Sequence, residues 1–231
     1  MFNDNSDSRV IQIAIDGPAG AGKSTIARIL SERLGIMLLD TGAMYRAFCF
    51  FAIKNNVPSD SSDEVFSALF SDFDLQFEED RILLSGEDIT SAVRTPEIDK
   101  GVGAIASNAF IRSLMVQLQR KIAENKSVVM EGRDIGSVVL KDTPYKFYLD
   151  ADVSVRADRR QKQNEQKGIN SNAEDIQTDI IRRDRVDSTR EASPLTVSEG
   201  SIYIDSTDKT QDEVAELIIQ NISEAESDAG I

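Results

Sequence analysis

The chain has 231 residues, 40% of them hydrophobic and 29% charged, enough for one domain carrying an insertion or for two small ones. Its net charge of −14 argues against general nucleic-acid or anionic-membrane binding, and no apolar run approaches the ~20 residues of a membrane span. A single cysteine rules out an intramolecular disulfide and argues against a Cys-based metal site, while the absence of histidine excludes His-dependent hydrolase mechanisms.

The start, MFNDNSDS, lacks the basic and apolar regions of a signal peptide, so a cytoplasmic protein with a disordered tail over residues 1–9 is expected. Val10 to Ile15 then reads as a buried strand, and Ser24 to Leu34 as a helix with Ile26, Ala27, Ile29, Leu30 and Leu34 at helical spacing. Between them lies the full P-loop pattern: Gly17, four residues, then Gly22, Lys23 and Ser24. Small residues let successive N–H groups turn inward around phosphate oxygens, aided by the positive end of the following helix. Lys23 adds a point charge for the outer phosphates, and the Ser24 hydroxyl suits Mg²⁺.

Gly35 is a helix stop, and Ile36 to Leu39 with Asp40 reads as a second strand. Thr41 to Arg46 opens a helix that runs to about Asn55 and contains Cys49, expected as a buried core thiol. Arg46, one turn in, faces an anion near the strand ends or is a solvated helix arginine. From Pro58 to Pro96 the pattern changes to a short helix over Asp63 to Phe70 and small antiparallel strands at Phe73 to Phe77 and Ile82 to Leu84, with a turn at Ser85 to Asp88. This reads as an insertion into an α/β domain. Helices fit about Thr95 to Asn108 and Ala109 to Asn125; Ser107 at their junction reaches a ligand or caps a helix.

Ser127 to Glu131 reads as a third buried strand, running into Gly132, Arg133, Asp134, Ile135 and Gly136. Glycines around an Arg-Asp pair at a strand end let charges approach a ligand, or make a turn with an internal salt bridge. Tyr145 to Leu149 is a fourth strand, and Asp150 to Asp152 can cap a helix carrying Arg156, Arg159 and Arg160. Gln161 to Asn172 reads as a mobile hairpin tip before a second charged helix. Ser201 to Asp205 is a fifth strand, and a closing helix spans about Asp212 to Ala225, with a frayed tail over 223–231. Of 16 arginines, eight fall between Arg133 and Arg190, a concentration that builds either an anion site or solvated helix faces.

The stretches GPAGAGKST (17–25), DTGAMYRA (40–47), EGRDIGSVV (131–139), FYLDAD (147–152) and RRDRVDSTREASPL (182–195) together resemble bacterial cytidylate kinase. The resemblance covers the chain from about Val10 to Ile222. It implies the P-loop nucleoside monophosphate kinase fold: a five-stranded parallel sheet flanked by helices, an inserted NMP-binding domain with a small antiparallel sheet, and a helical lid. The implied division is a core over 10–57, 126–152 and 191–222, an insert over 58–125 and a lid over 153–190.

The activity implied is transfer of the γ-phosphoryl group of ATP to CMP or dCMP with Mg²⁺, in pyrimidine nucleotide metabolism. Carried over by position, Gly17, Pro18, Ala19, Gly20, Ala21, Gly22, Lys23, Ser24 and Thr25 would bind the ATP phosphates, with Ser24 on the metal. Arg46 and Arg133 would hold the acceptor phosphate. Ser107, Arg112 and Asp134 would read cytosine, Arg183 and Asp187 would meet the pentose, and Thr41 and Arg190 would lie at the substrate. Lys23, Arg133, Arg159 and Arg160 would act on the transferred group, and Arg156 would join the last two in the lid. A monomer with small-molecule partners, no nucleic acid and no membrane is expected. Two departures stand out: Thr41 where the family often has serine, and Val186 where some members carry arginine. A kinase for AMP, dTMP or shikimate and a non-catalytic nucleotide scaffold are the rivals. A regulatory GTPase would need an Asn-Lys-x-Asp signature, and Asn125 to Val128 lacks the aspartate.

Overall fold

A computed structural model describes residues 10–78, 81–166, 168 and 171–228. The expected tail over residues 1–9 lies outside the described residues. So do residues 167, 169 and 170 of the expected hairpin tip, and residues 229–231.

Five strands, β1 (Gln12–Asp16), β2 (Met37–Asp40), β6 (Val128–Gly132), β7 (Tyr145–Asp150) and β8 (Ile202–Asp205), form one parallel sheet in the order β2-β6-β1-β7-β8. Their registers place Asp16 beside Gly132 on one side and Tyr148 on the other. Because side chains alternate along a strand, Ile13 and Ile15 enter one core and Ala14 the other. The first core is closed by α1 (Lys23–Leu34) and α8 (Gln211–Asp228), which Arg33 also joins through Asp212 and Glu216 at 2.6 Å each.

The opposite face is covered by α2 (Thr41–Lys54) and α5 (Ala109–Ala123). Between these two helices the chain builds α3 (Asp63–Ser71), an antiparallel sheet of β3 (Leu75–Glu78), β4 (Arg81–Leu84) and β5 (Glu87–Asp88), and α4 (Pro96–Ser107). The inserted elements do not have a separate core. Phe48 of α2 meets Phe73 edge-on at 5.2 Å and Phe70 at 5.6 Å, so their apolar side chains continue into the cluster beneath the main sheet. By contrast α6 (Val153–Gln166) and α7 (Ala173–Thr189) share only a small apolar patch of Ala157, Ile176 and Ile180 against Val153.

Four local expectations change. Glu87 and Asp88 pair with Leu84 and Leu83 as a third short strand, leaving only Ser85 (φ 50) and Gly86 (φ 80) as the turn. The closing helix continues to Asp228, because Ile218 and Ile222 keep it packed on the sheet and nothing in the polar sequence beyond them breaks a helix. The cap at the α4–α5 junction is Asn108, whose side chain accepts from Ile111 N at 3.0 Å, and Ser107 is exposed. After β6 the chain forms a π-turn over Ile135–Val139 in place of a simple loop. Among the described residues no helix is long and apolar enough to cross a membrane.

Candidate active site

The glycine-rich loop leaves β1 at Asp16 and enters α1 at Lys23. A side chain at Gly17, where φ is +148°, would put its Cβ 2.0 Å from the Leu149 carbonyl oxygen, so only glycine lets the loop start this close to β7. Gly22, at φ +96°, makes the turn into the helix. Lys23 lies buried and donates to Pro18 O at 2.8 Å. Burial and the neighbouring Arg133 guanidinium push its pKa down to about 7, against the opposing pull of Glu131 and Asp16.

Ser24 donates its hydroxyl to Glu131 Oε1 at 2.6 Å across the gap between α1 and β6. Burial, and then Asp40, push the Glu131 carboxyl up. Thr41, expected at the substrate, is buried and donates to Glu131 O at 2.7 Å.

The loop is also held from α6 and α7. Ala19 N–H donates to Asp184 Oδ1 at 3.1 Å, and Ala19 O accepts from Arg156 Nη1 at 2.8 Å. Arg156 is itself paired with Asp184 at 2.5 Å and donates to Ala151 O at 2.9 Å. Arg156 is therefore a buried tie between the glycine-rich loop and the helical hairpin. Arg159 donates to Ser206 O at 2.6 Å and Ser206 Oγ at 3.0 Å, on the loop after β8. Arg160 is half-buried and makes no hydrogen bond or ion pair among the described residues.

Arginines from four elements, each but one beside a carboxylate, gather near Lys23 and the end of β6. Arg133 donates through Nε to Asp187 Oδ2 at 2.8 Å, and Arg112 pairs with Asp134. Arg190 sits 3.8 Å from Asp134 and 3.7 Å from Asp187, its Nε donating to Ser193 O at 2.7 Å. Arg112 Nη1 also donates to Ala106 O, one residue before Ser107, and its guanidinium lies 5.5 Å from the Tyr45 ring centre. Two buried guanidinium nitrogens, Arg112 Nε and Arg190 Nη2, have no hydrogen-bond partner among the described residues. Arg183 makes no hydrogen bond or ion pair among the described residues, and burial and Arg133 lower its pKa. Arg46 pairs with Asp99 of α4, tying α2 to the inserted elements.

Sequence reasoning thus named most of the charged groups but overlooked several partners. Asp16, Glu131 and Asp184 lie inside stretches already singled out, one or two positions from a flagged residue. Tyr45 likewise sits beside Arg46 in a singled-out stretch, whereas Asp99 and Ser206 carry no local signal, since only the folded arrangement brings them here.

A phosphate loop at the C-terminal edge of a parallel sheet, next to converging guanidinium groups, defines a P-loop phosphotransferase. The comparisons agree: the cytidylate kinase family model matches residues 13–224. The cytidylate kinase of Clostridium perfringens (strain SM101) is 47% identical over 200 residues, covering 87% of this chain and 92% of that protein. That of Clostridium botulinum (strain Loch Maree) is 46% identical over 209 residues, covering 90% and 95%. The chain belongs to the cytidylate kinase family and is a kinase. A crystal structure of a protein from Eubacterium ventriosum, at 16% identity and a TM-score of 0.51 over 94% of this chain and 99% of that one, shares the fold.

Proposed function

We propose that this kinase transfers the γ-phosphoryl group of ATP to CMP or dCMP, giving ADP and CDP or dCDP. The observation that carries the acceptor assignment is the buried Arg112–Asp134 pair near the phosphate loop, beside buried guanidinium nitrogens of Arg112 and Arg190 that lack hydrogen bonds among the described residues. Asp134 accepts a hydrogen bond from the cytosine amino group, which uracil lacks, and Arg112 donates to the ring carbonyl or nitrogen. A site built to satisfy that pattern rejects a base that leaves its buried groups unpaired by a factor of ~10⁴ or more.

Two nucleotides bring several negative charges into one cleft, so the work of the protein is to neutralise and align them. The backbone N–H groups of Gly17 to Thr25 and the Lys23 ammonium hold the donor phosphates. Arg46 and Arg133 hold the acceptor phosphate, and Arg183 supplies an uncommitted guanidinium beside Arg133. Asp187 meets the pentose and Arg190 the base side. Binding requires Arg46 and Arg133 to exchange their present carboxylate partners for phosphate oxygens. No protein base is needed, because the acceptor phosphate is already an anionic nucleophile.

The Ser24 hydroxyl and the Glu131 carboxylate, paired and adjacent to the phosphate loop, are the hard oxygen donors that Mg²⁺ takes. Among the described residues no cluster of three or more His, Cys, Asp or Glu is arranged to hold a metal, which suits an ion bound chiefly through substrate phosphates and water. When bound with ATP, it offsets charge on the β- and γ-phosphates.

We propose the following division of labour. Residues 10–57, 126–152 and 191–222 make the core, 58–125 the acceptor-side insert, and 153–190 a lid joined to the phosphate loop mainly through polar ties such as Arg156 to Ala19 O. Arg159 and Arg160 reach the transferred group when that lid closes, and closure excludes water. The test is an ADP-release screen with Mg-ATP against CMP, dCMP, UMP, AMP, GMP and dTMP. CMP and dCMP are expected to be the preferred acceptors, and equal rates with UMP or a preference for AMP would reject the assignment.

A further inference from the structure

The π-turn Ile135–Val139 directly follows Asp134 and is gripped at both ends by side chains that the proposed mechanism does not use. At its amide end, Asp16 accepts from Ile135 N through Oδ1 and from Gly136 N through Oδ2, both at 2.8 Å. At its carbonyl end, Arg120 donates from Nη2 to Val138 O at 2.6 Å and from Nε to Val139 O at 3.1 Å. The carboxylate thus meets the free amides and the guanidinium the free carbonyls, the arrangement that the dipole of any helical turn favours. The turn closes onto Asp134 itself, whose carbonyl accepts from both Val138 N and Val139 N.

Each grip leads to another part of the site. Asp16 is the last residue of β1, and Gly17 after it opens the phosphate loop. Arg120 lies on α5 eight residues beyond Arg112, the partner of Asp134. The turn has little freedom elsewhere, since a Cβ at Gly136 would meet Ser198 Oγ at 2.7 Å, and its Ile135 side chain packs so closely on the end of β6 that a Cβ at Gly132 would lie 2.7 Å from Ile135 Cδ1. Asp16 is only 3% exposed, and burial pushes its pKa up to about 6. A carboxylate held there against its own desolvation is not a casual turn contact.

We propose that Asp16 and Arg120 are positioning residues for base recognition: together they clamp the π-turn so that Asp134 stays at the distance and angle that separates cytosine from uracil. Asp16 acts from the phosphate-loop side and Arg120 from the helix that carries Arg112. This rests on the cytosine-reading role proposed for Asp134 and adds the groups that make it selective. A recognition group shifted by an ångström loses much of its discrimination without being altered itself.

The experiment measures kcat/KM for CMP and for UMP at saturating Mg-ATP in the wild type, Arg120→Met, Arg120→Lys and Asp16→Asn. Arg120→Met is expected to lower the CMP:UMP ratio by roughly tenfold or more, mainly through KM for CMP, with KM for ATP within about twofold of wild type. Arg120→Lys, which keeps one donor, should fall between. Asp16→Asn should lower the same ratio and also raise KM for ATP. Equal losses on CMP and UMP, or an unchanged ratio in folded Arg120→Met, would overturn the proposal. Should Asp16→Asn fail to fold, amide hydrogen exchange in the wild type decides its half. The Ile135 and Gly136 amides are expected to be protected as strongly as β1 amides, and exchange at exposed-turn rates would overturn it. A wild-type enzyme without preference for CMP would instead reject the role of Asp134, so the two failures are distinguishable.

Discussion

Arg112 and Asp134 form an ion pair whose side chains are only 4% and 8% exposed, although they come from α5 and from the end of β6. Removing one partner strands the other charge in the interior, which costs roughly 3–5 kcal/mol. Arg112→Met is therefore expected to raise KM for CMP far more than KM for ATP and to lower the urea midpoint. The double variant Arg112→Met/Asp134→Asn should regain part of the stability and none of the CMP affinity. Urea melts with steady-state kinetics check this, and a Arg112→Met enzyme with normal KM for CMP would exclude Arg112 from the acceptor site.

Lys23 has a different balance. It is buried at a cost shown by its depressed pKa, and its hydrogen bond reaches only Pro18 O. Lys23→Ala should leave thermal stability unchanged or higher while lowering kcat by roughly 10²–10³, the scale of losing one preorganised electrostatic group. Calorimetry beside single-turnover kinetics tests both halves.

Gly17→Ala is expected to be the most damaging single methyl in the chain. Its Cβ would sit 2.0 Å from the Leu149 carbonyl oxygen, which belongs to a central strand and cannot move aside. Loss of ATP binding, with insolubility or a lower melting temperature, is the expected outcome in an expression and nucleotide-binding assay.

Asp187 both supports Arg133 and stands near Arg190. Asp187→Ala should slow turnover on both acceptors by loosening Arg133, with the larger loss on CMP because dCMP lacks the 2′-hydroxyl. The ratio of the two kcat/KM values is the readout, and equal losses would remove the pentose role.

The Asp16 carboxyl titrates near 6 in the folded protein against an ordinary 3.8. Between those values the native state binds more protons than the unfolded one, so the contribution of Asp16 to stability is greatest below pH ~4. It falls as pH rises toward ~6 and is level above that, by an amount on the order of 3 kcal/mol. Urea midpoints measured from pH 4 to 8 should slope less in Asp16→Asn than in the wild type over that window only.

Much of this arrangement was legible along the chain because its signals are local. The strand, glycine loop and helix from Val10 to Leu34 declare themselves through periodicity and special backbone residues, as does the helix stop at Gly35. The resemblance then supplied roles for Arg46, Arg112, Arg133, Arg156, Arg159, Arg160, Arg183 and Arg190. What stayed hidden depends on contacts between residues far apart in sequence: Asp16 with Ile135, Ala19 with Asp184, Arg46 with Asp99. No local pattern says which carboxylate a guanidinium will choose, and the π-turn arises because both of its ends are met by side chains from elsewhere. The small strand Glu87–Asp88 was read as turn for a related reason, since two acidic residues become a strand only when Leu83 and Leu84 are there to pair with them.

The chain has four tyrosines and no tryptophan. Tyr45 lies against the Arg112 guanidinium, and Tyr148 stacks on Tyr203 at 5.7 Å over the edge of the sheet. The molecule therefore carries its own optical gauge. If the acceptor binds beside Arg112 as proposed, near-ultraviolet dichroism and phenol emission are expected to change on addition of CMP, with no label attached.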